Sequence, residues 1–361
     1  MSERMFIEGN VAIAWGATMA GCQAFFGYPI TPQNEITEWF AREFPRMGRV
    51  FVQTQSELGS INMLYGAAAT GVRAMTSSSS PGWSLMQETV SDLMNAELPC
   101  VIVDVQRGGP GGGPIRHAQQ DYFQCTRGGG HGDYRNIVLT PASSQECCDL
   151  TQLAFHLADK YRNPVLVMSD AIVGRLRETV EVAAIDFGPV PAKDWAVAGK
   201  ARHGDGKRRV VDHCGDLFAR YPSYQALLQS LDKRIKRMQE AEVRYEDYQT
   251  EDAKTILVAY GYTARVSKEA VNTARAEGIK AGLIRLITAW PFPYEVIGQK
   301  ARQGSKFLVV EDSLGQLLED VRVAVPSSAD VGLVSILDRH MPSDGGMILP
   351  DKVLAKIKEM Q

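Results

Sequence analysis

Short runs rich in valine and isoleucine alternate with amphipathic segments through most of the chain, and this rhythm restricts the fold more than any other feature. Strands are expected at CQAFFGY (22–28), RVFVQTQ (49–55), VRAMTSS (72–78), CVIVDVQ (100–106), NIVLTP (136–141) and PVLVMSD (164–170). Between them, the stretch 56–70 sets Leu58, Ile61, Leu64 and Tyr65 on one helical face. The stretch 82–98 does the same with Leu85, Met86, Val90, Leu93 and Met94. Strands apolar on both faces, separated by helices of this length, are parallel strands covered on both sides. The fold class is therefore α/β, doubly wound.

The rhythm breaks once. Residues 183–252 hold Pro189, Pro191, the HGDGKRR run (203–209) and a charged stretch from Tyr224 to Tyr248 that mixes signs at helical spacing, as a solvated linking helix does. Alternation resumes at TILVAYG (255–261), KAGLIRLI (280–287), SKFLVVED (305–312) and VGLVSIL (331–337), with helices through Ala276 and from Gln316. The expected organisation is one α/β domain over 1–182, a linker with a charged helix over 183–252, and a smaller α/β domain over 253–361.

Lysine and arginine (39) nearly balance aspartate and glutamate (42), so the chain has neither the basic patch of a nucleic-acid binder nor a polybasic membrane anchor. No run approaches the roughly 18 apolar residues of a membrane span, and residues 1–10 lack a secretory h-region. The six cysteines, at 22, 100, 125, 147, 148 and 214, form no C-x-x-C, so neither a zinc ribbon nor an iron–sulfur run is expected in this chain. A reducing cytoplasm suits such cysteine usage. Glycine is concentrated: nine of the 29 residues from Arg107 to Arg135 are glycine, the pattern of backbone that approaches a ligand or turns tightly.

Ligands of open α/β sheets collect at the carboxyl ends of the strands, and four unusual segments fall there. GYPITP (27–32) offers Thr31 between two prolines, and TQSE (54–57) leaves Glu57 in the first turn of a helix. TSSSSPG (76–82) is a hydroxyl run before a helix, and QRGGPGGGP (106–114) leads from Arg107 into the glycine loop. Each segment has an ordinary structural explanation in capping, turn chemistry or dipole matching. Their convergence on neighbouring strand ends points to a site. No Walker-A loop, dinucleotide fingerprint or nucleophile elbow explains it, and Cys125 has no nucleophile signature around it. The spacings of His117, Asp121, His131 and Asp133 are common by chance and indicate no metal.

GYPITP, QSE before INMLYGAA, TSSSSPGWSLMQE, ELPCVIVDVQRGGPGGG, GGGHGDYRNIVLTP, WPFP (290–293) and VVEDSLGQLLEDVR (309–322) together resemble the α subunit of 2-oxoacid:ferredoxin oxidoreductases. The match runs through nearly the whole chain in order. The resemblance implies a thiamine diphosphate pyrimidine-binding-like domain followed by a transketolase C-terminal-like one. It implies a subunit, active only in complex, that binds the pyrimidine end of thiamine diphosphate in a site shared with a β subunit; the alternative is a non-catalytic binding or scaffold subunit of such a complex. That β subunit carries the diphosphate and magnesium; [4Fe–4S] clusters likewise lie on partner chains, which include a γ subunit and a ferredoxin-like subunit. Carried over by motif, Glu57 is the catalytic carboxyl on the pyrimidine ring. Tyr28, Pro29, Ile30 and Ser80 also line the cofactor, and Thr31 and Arg107 bind the carboxylate of the 2-oxoacid. Oxidative decarboxylation then yields an acyl group for coenzyme A. The diphosphate motif G-D-G with a following Asn is lacking here: Gly204–Gly206 has no Asn until Asn272, and Gly132–Asp133 with Asn163 has the wrong third residue and strand end.

The SSSSPG and GGGHGDYR segments resemble the 2-oxoisovalerate type more than the 2-oxoglutarate type. A second substrate carboxylate would need another basic residue, for which Arg116 and Arg127 are the candidates. An aryl 2-oxoacid would need an apolar pocket, for which Phe25, Phe26, Tyr122 and Phe123 are candidates; ordinary core packing explains those four equally well.

Overall fold

A computed structural model describes residues 3–198, 204–211, 221–340 and 346–361. The first half runs β1 (Glu3–Glu8), α1 (Gly9–Met19), β2 (Ala24–Gly27), α2 (Asn34–Glu43), β3 (Val50–Gln53), α3 (Glu57–Ala69), β4 (Ala74–Ser78) and α4 (Pro81–Asn95). It continues through β5 (Cys100–Gln106), α5 (Tyr122–Thr126), β6 (Ile137–Leu139), α6 (Ser144–Tyr161), β7 (Pro164–Asp170), α7 (Ala171–Arg175) and β8 (Arg177–Val182). The second half comprises α8 (Tyr224–Ala241), β9 (Tyr245–Tyr248), β10 (Thr255–Ala259), α9 (Gly261–Ala276), β11 (Ala281–Leu286) and β12 (Thr288–Trp290). It ends with α10 (Tyr294–Arg302), β13 (Lys306–Val310), α11 (Gln316–Ala324), β14 (Val331–Val334) and α12 (Pro350–Glu359).

Every residue of β5 and β7 is buried, and the two pair in parallel along their whole length, as their Val/Ile-rich sequences require. They lie at the centre of a seven-stranded sheet of order β12-β6-β7-β5-β4-β2-β3. The chain leaves β2 toward β3 and then crosses back to β4, so the order reverses between β2 and β4. That switch point opens a crevice at the carboxyl ends of the strands. The second sheet has the order β14-β13-β10-β11-β9, parallel except for the antiparallel β9.

Four strands depart from the sequence expectation. β1 and β8 form an antiparallel two-stranded ribbon outside both large sheets, with one face in solvent. The charged run from Tyr224 ends as a helix at Ala241, and its last residues become β9. β12, from the carboxyl-terminal half, pairs antiparallel with β6 at the edge of the first sheet. The charged helix itself is mostly solvated: Met238 is its one fully buried residue, and Arg234 reaches the Met94 carbonyl at 2.8 Å. Leu58 and Leu85, expected on the packed faces of their helices, are instead 44% and 51% exposed, while Ile61, Leu64, Met86, Val90, Leu93 and Met94 are buried.

The two halves are fastened at several points. Arg285 of β11 pairs with Glu146 of α6 and reaches the Thr140 carbonyl at 3.2 Å. The buried Gln119 receives a bond from Thr263 Oγ1 and from the amide of Asp312, and donates to the Tyr260 carbonyl. Both downstream motifs serve this junction. In VVEDSLGQ, Glu311 accepts the amides of Leu317 and Leu318 at the start of α11, and Asp312 forms a buried ion pair with Arg339. WPFP forms the end of β12 and the turn into α10.

Among the described residues, no helix is long and apolar enough to cross a membrane, and no group of three or more His, Cys, Asp and Glu side chains is placed to hold a metal. Cys214 lies outside the described residues; the other cysteines are free and buried. Gly204–Gly206 forms an exposed turn whose Asp205 is held by Arg209 at 2.6 Å. Asn163 precedes β7 and donates to the carbonyls of Arg135 and Pro164, at the edge opposite the strand ends.

Candidate active site

The loops after β3, β2, β4 and β5 lie side by side, because those strands are neighbours in that order. Glu57 is the first residue of α3. Ser56 caps the helix, accepting the Gly59 amide at 3.3 Å, and Thr54 Oγ1 ties the turn to Ser60 at 2.6 Å. The carboxyl group is thereby delivered to the positive end of a helix. Glu57 is 6% exposed, and among the described residues no hydrogen bond or ion pair engages its carboxylate. The Ser78 hydroxyl, which shares the space at Gly82 with it, and the Ser79 hydroxyl are buried without partners.

The first turn of α4 closes over this carboxylate at Gly82. A Cβ there would stand 2.6 Å from Glu57 Oε1 and 2.1 Å from Ser78 Oγ, so any larger residue would push both side chains aside. Buried polar groups without partners are costly and rare. An orphaned carboxylate and hydroxyls grouped at a topological switch point suit a ligand with ring nitrogens and an amino group, as the aminopyrimidine of thiamine diphosphate has.

The GYPITP turn is held from below. Gln33, fully buried, donates to the Tyr28 carbonyl at 3.1 Å, and its own oxygen accepts from Ser77 at 2.6 Å and Thr37 at 3.1 Å. Tyr28, Ile30 and Thr31 are half-buried, Pro29 is exposed, and the Thr31–Pro32 peptide is cis. Arg107 joins this turn to the glycine loop: its Nη1 donates to the Thr31 carbonyl at 2.8 Å and its Nη2 to the Gly112 carbonyl at 2.7 Å. Arg107 is 8% exposed, and its Nε has no partner. Of the five N–H donors of the guanidinium, two are committed to backbone. The glycine loop folds back on itself at Gly113, where φ is +63° and a Cβ would meet Gly108 O at 1.8 Å.

Ser80 sits where β4 gives way to α4 with φ +30° and ψ −84°, a conformation side-chain-bearing residues rarely adopt. Its amide donates to Asp104 Oδ1 at 2.9 Å and its hydroxyl to Asp121, while that same hydroxyl accepts the Arg107 amide at 2.9 Å. The sequence reading did not single out Asp104, Asp121 as part of this arrangement, or Gln33. For Asp104 a signal exists: an aspartate inside a wholly apolar strand is seldom buried without a task. Burial, and for Asp104 also the neighbouring Asp121, push both carboxyls upward in pKa.

Two cavities flank Arg107. One of about 540 Å³ is lined by Ser80, Ser84, Gly111, Gln124 and Leu314. The other, of about 320 Å³, is lined by Thr31, Ile115, Arg116, His117, Ile172 and Arg175. Burial, then Arg339, hold His117 below the usual histidine range. Arg127 lies apart from both: it forms a two-pronged pair with Asp320 at 2.9 and 3.1 Å, on a carboxylate that also accepts Tyr122. The four aromatics considered for an apolar pocket line neither cavity. Phe25 stacks on Phe40 at 4.2 Å, Tyr122 is fully buried, Phe26 is buried in the same core, and Phe123 lies beneath the Arg127 guanidinium.

Residues 15–209 match the family described as pyruvate flavodoxin/ferredoxin oxidoreductase, thiamine diphosphate-binding, and residues 253–351 match core domain II of pyruvate:ferredoxin oxidoreductase. Ketoisovalerate oxidoreductase subunit VorB of Methanothermobacter marburgensis is 47% identical over 98% of this chain and 97% of its own length. The 2-oxoglutarate synthase subunit KorA of Methanothermobacter thermautotrophicus is 39% identical over the full length of both. Among solved structures, a 2-oxoglutarate:ferredoxin oxidoreductase from Magnetococcus marinus superposes with a TM-score of 0.86 at 26% identity, over 99% of this chain and 65% of that one. A split-gene transketolase, at 14% identity and a TM-score of 0.61, shares the fold. Matched in both halves and along its whole length by relatives of one kind, the chain belongs to the pyruvate flavodoxin/ferredoxin oxidoreductase family, as a thiamine diphosphate-binding subunit of the 2-oxoacid:ferredoxin oxidoreductases.

Proposed function

We propose that this chain supplies the pyrimidine side of a thiamine diphosphate site and the carboxylate grip for a 2-oxoacid, which is oxidatively decarboxylated to an acyl-coenzyme A. In this reading a β subunit completes the site with the diphosphate and magnesium. Iron–sulfur clusters on that subunit and on a ferredoxin-like one, beside a γ subunit, take the electrons. The observation that carries the reading is the unpartnered, buried Glu57 carboxylate under Gly82, one strand away from the Thr31 turn and three from Arg107.

When bound, thiamine diphosphate supplies the nucleophilic carbon for the 2-oxo group and the sink for the electrons left as carbon dioxide departs. From the start of α3, Glu57 would hold and exchange a proton with a ring nitrogen of the pyrimidine. Tyr28, Pro29 and Ile30 would flank that ring, and Ser80 would fix the entry of α4 beside it. The Thr31 hydroxyl and the Arg107 Nε donate to the substrate carboxylate, a charge-assisted pair that orients the 2-oxo carbon.

The substrate class best supported is a branched-chain 2-oxoacid of the 2-oxoisovalerate kind. The relative of higher identity acts on ketoisovalerate, and Arg127, one of the two candidates for a second carboxylate, is committed to Asp320. A dicarboxylic 2-oxoacid is favoured by one observation, the presence of Arg116 with Arg175 in the cavity next to Thr31. In the assembled complex, Glu57→Gln and Glu57→Ala should reduce 2-oxoacid-dependent acceptor reduction by at least about a hundredfold and leave the complex mass unchanged. Turnover near wild type would remove Glu57 from the mechanism. A panel of 2-oxoacids on the same complex decides between the substrate classes by kcat/KM.

A further inference from the structure

Asp104 and Asp121 are buried, lie in no part of the proposed chemistry, and converge on one residue. Asp104, fully buried on β5, accepts the Ser80 amide at 2.9 Å. Asp121, 4% exposed at the start of α5, accepts the Ser80 hydroxyl and the Gln124 side-chain amide. The Ser80 hydroxyl in turn accepts the Arg107 amide at 2.9 Å. Ser80 is thus gripped at both its backbone and its side chain while its φ stays at +30°. A residue in that conformation relaxes unless its surroundings over-determine it. Two residues on from Ser80, Gly82 lies against Glu57.

We propose that Asp104 and Asp121 are positioning residues, which hold Ser80 against the Arg107 amide and so set the grip of the site on the 2-oxoacid carboxylate. The inference rests on the role given above to Arg107. The two carboxyls meet at Ser80, Asp104 accepting its amide and Asp121 its hydroxyl, and burial pushes both upward, Asp104 also through the charge of Asp121. Two buried carboxylates in contact cannot both ionise, and one proton between them is the arrangement with the least repulsion. The groups facing the pair are the Cys125 thiol at 3.8 Å from Asp104, the Arg107 guanidinium, and Tyr260 from the second half of the chain. Loss of the shared proton at high pH would set two negative charges against each other and loosen Ser80.

The test is the pH profile and the KM–kcat split of the assembled complex with 2-oxoisovalerate, or with whichever 2-oxoacid the panel selects. Asp121→Ala removes the acceptor and should raise the KM for 2-oxoacid about tenfold or more, the usual consequence of losing a hydrogen bond to a charged group, with kcat changed less than threefold. Asp104→Asn keeps the oxygen for the Ser80 amide and a donor toward Asp121 but cannot ionise. The wild type should show an alkaline rise in KM, whose absence overturns the shared-proton arrangement; Asp104→Asn should keep a near wild-type KM at neutral pH and abolish that rise. Ser80→Ala should reproduce the KM defect of Asp121→Ala. If Asp121→Ala does not fold, the Asp104→Asn profile and Ser80→Ala carry the test. Unchanged KM in both Asp121→Ala and Ser80→Ala, with only thermal stability reduced, overturns the proposal, as does an alkaline rise that persists unaltered in Asp104→Asn. Arg107→Ala separates the two readings. If it leaves KM unchanged, the role of Arg107 itself is wrong; if it raises KM while Asp121→Ala and Ser80→Ala do not, only the positioning role fails.

Discussion

Gly82→Ala is the substitution that tests the placement of Glu57 against α4 most directly. Alanine is favoured over glycine inside a helix by about 1 kcal/mol, and Gly82 stands in the first turn of α4 without a positive φ. From propensity alone the variant should be more stable. The added Cβ, however, would lie 2.1 Å from Ser78 Oγ and 2.6 Å from Glu57 Oε1. To reach an ordinary contact of 3.4 Å the hydroxyl must give way by about 1.3 Å and the carboxylate by about 0.8 Å. Overpacking of this size costs about 1–3 kcal/mol, which outweighs the propensity gain. A displacement near 1 Å at a group that must meet its partner in register costs about a hundredfold in rate. Steady-state acceptor reduction by the reconstituted complex, beside the melting temperature, measures both effects. The double variant Gly82→Ala/Ser78→Ala removes the closer clash and should recover stability. It should not recover turnover, because the Glu57 contact remains. Wild-type turnover in Gly82→Ala would refute the placement of Glu57 against α4.

Arg127→Ala should lower stability by about 1.5–3 kcal/mol, the worth of hydrogen bonds to a charged group; it leaves buried Asp320 with only its tyrosine partners. Denaturant unfolding measures the loss. Asp170 is fully buried at the end of β7, and burial raises its pKa to about 6 from 3.8. A carboxyl protonated in the folded state while ionised in the unfolded one makes stability fall as pH rises from about 4 to 6, by up to about 3 kcal/mol. Asp170→Asn should flatten that segment of the stability–pH curve relative to wild type, whatever it does to absolute stability.

The parallel core was legible because its strands carry their own signature. β5 and β7 are apolar on both faces, and a chain can satisfy such strands only by covering them. What escaped was pairing between distant segments that carry no strand signature of their own. β1 and β8 have charged, half-exposed sequences, and β12 is three residues long; each becomes a strand only through a partner far along the chain. Leu58 and Leu85 show a similar limit: helical spacing groups them with buried neighbours but does not say how wide the covered face is. At the site, the strand-end position of Glu57, Thr31, Ser80 and Arg107 followed from the strand rhythm. The use of Arg107 to tie the Thr31 turn to Gly112 did not, because those carbonyls meet the guanidinium only after the glycine loop has folded back.

The pairing of β12 with β6 has a consequence for dissecting this chain. The seven-stranded sheet is finished by residues that follow it by well over a hundred positions, from beyond the charged helix. A fragment cut anywhere in the linker would expose β6 as a raw edge with unpaired amides and carbonyls, an invitation to intermolecular strand addition. Its Arg285 partner for Glu146 would leave with the same cut. The boundary that separates the two halves in sequence is therefore not a seam along which the protein comes apart, and complementation with both pieces present is the appropriate way to study either one.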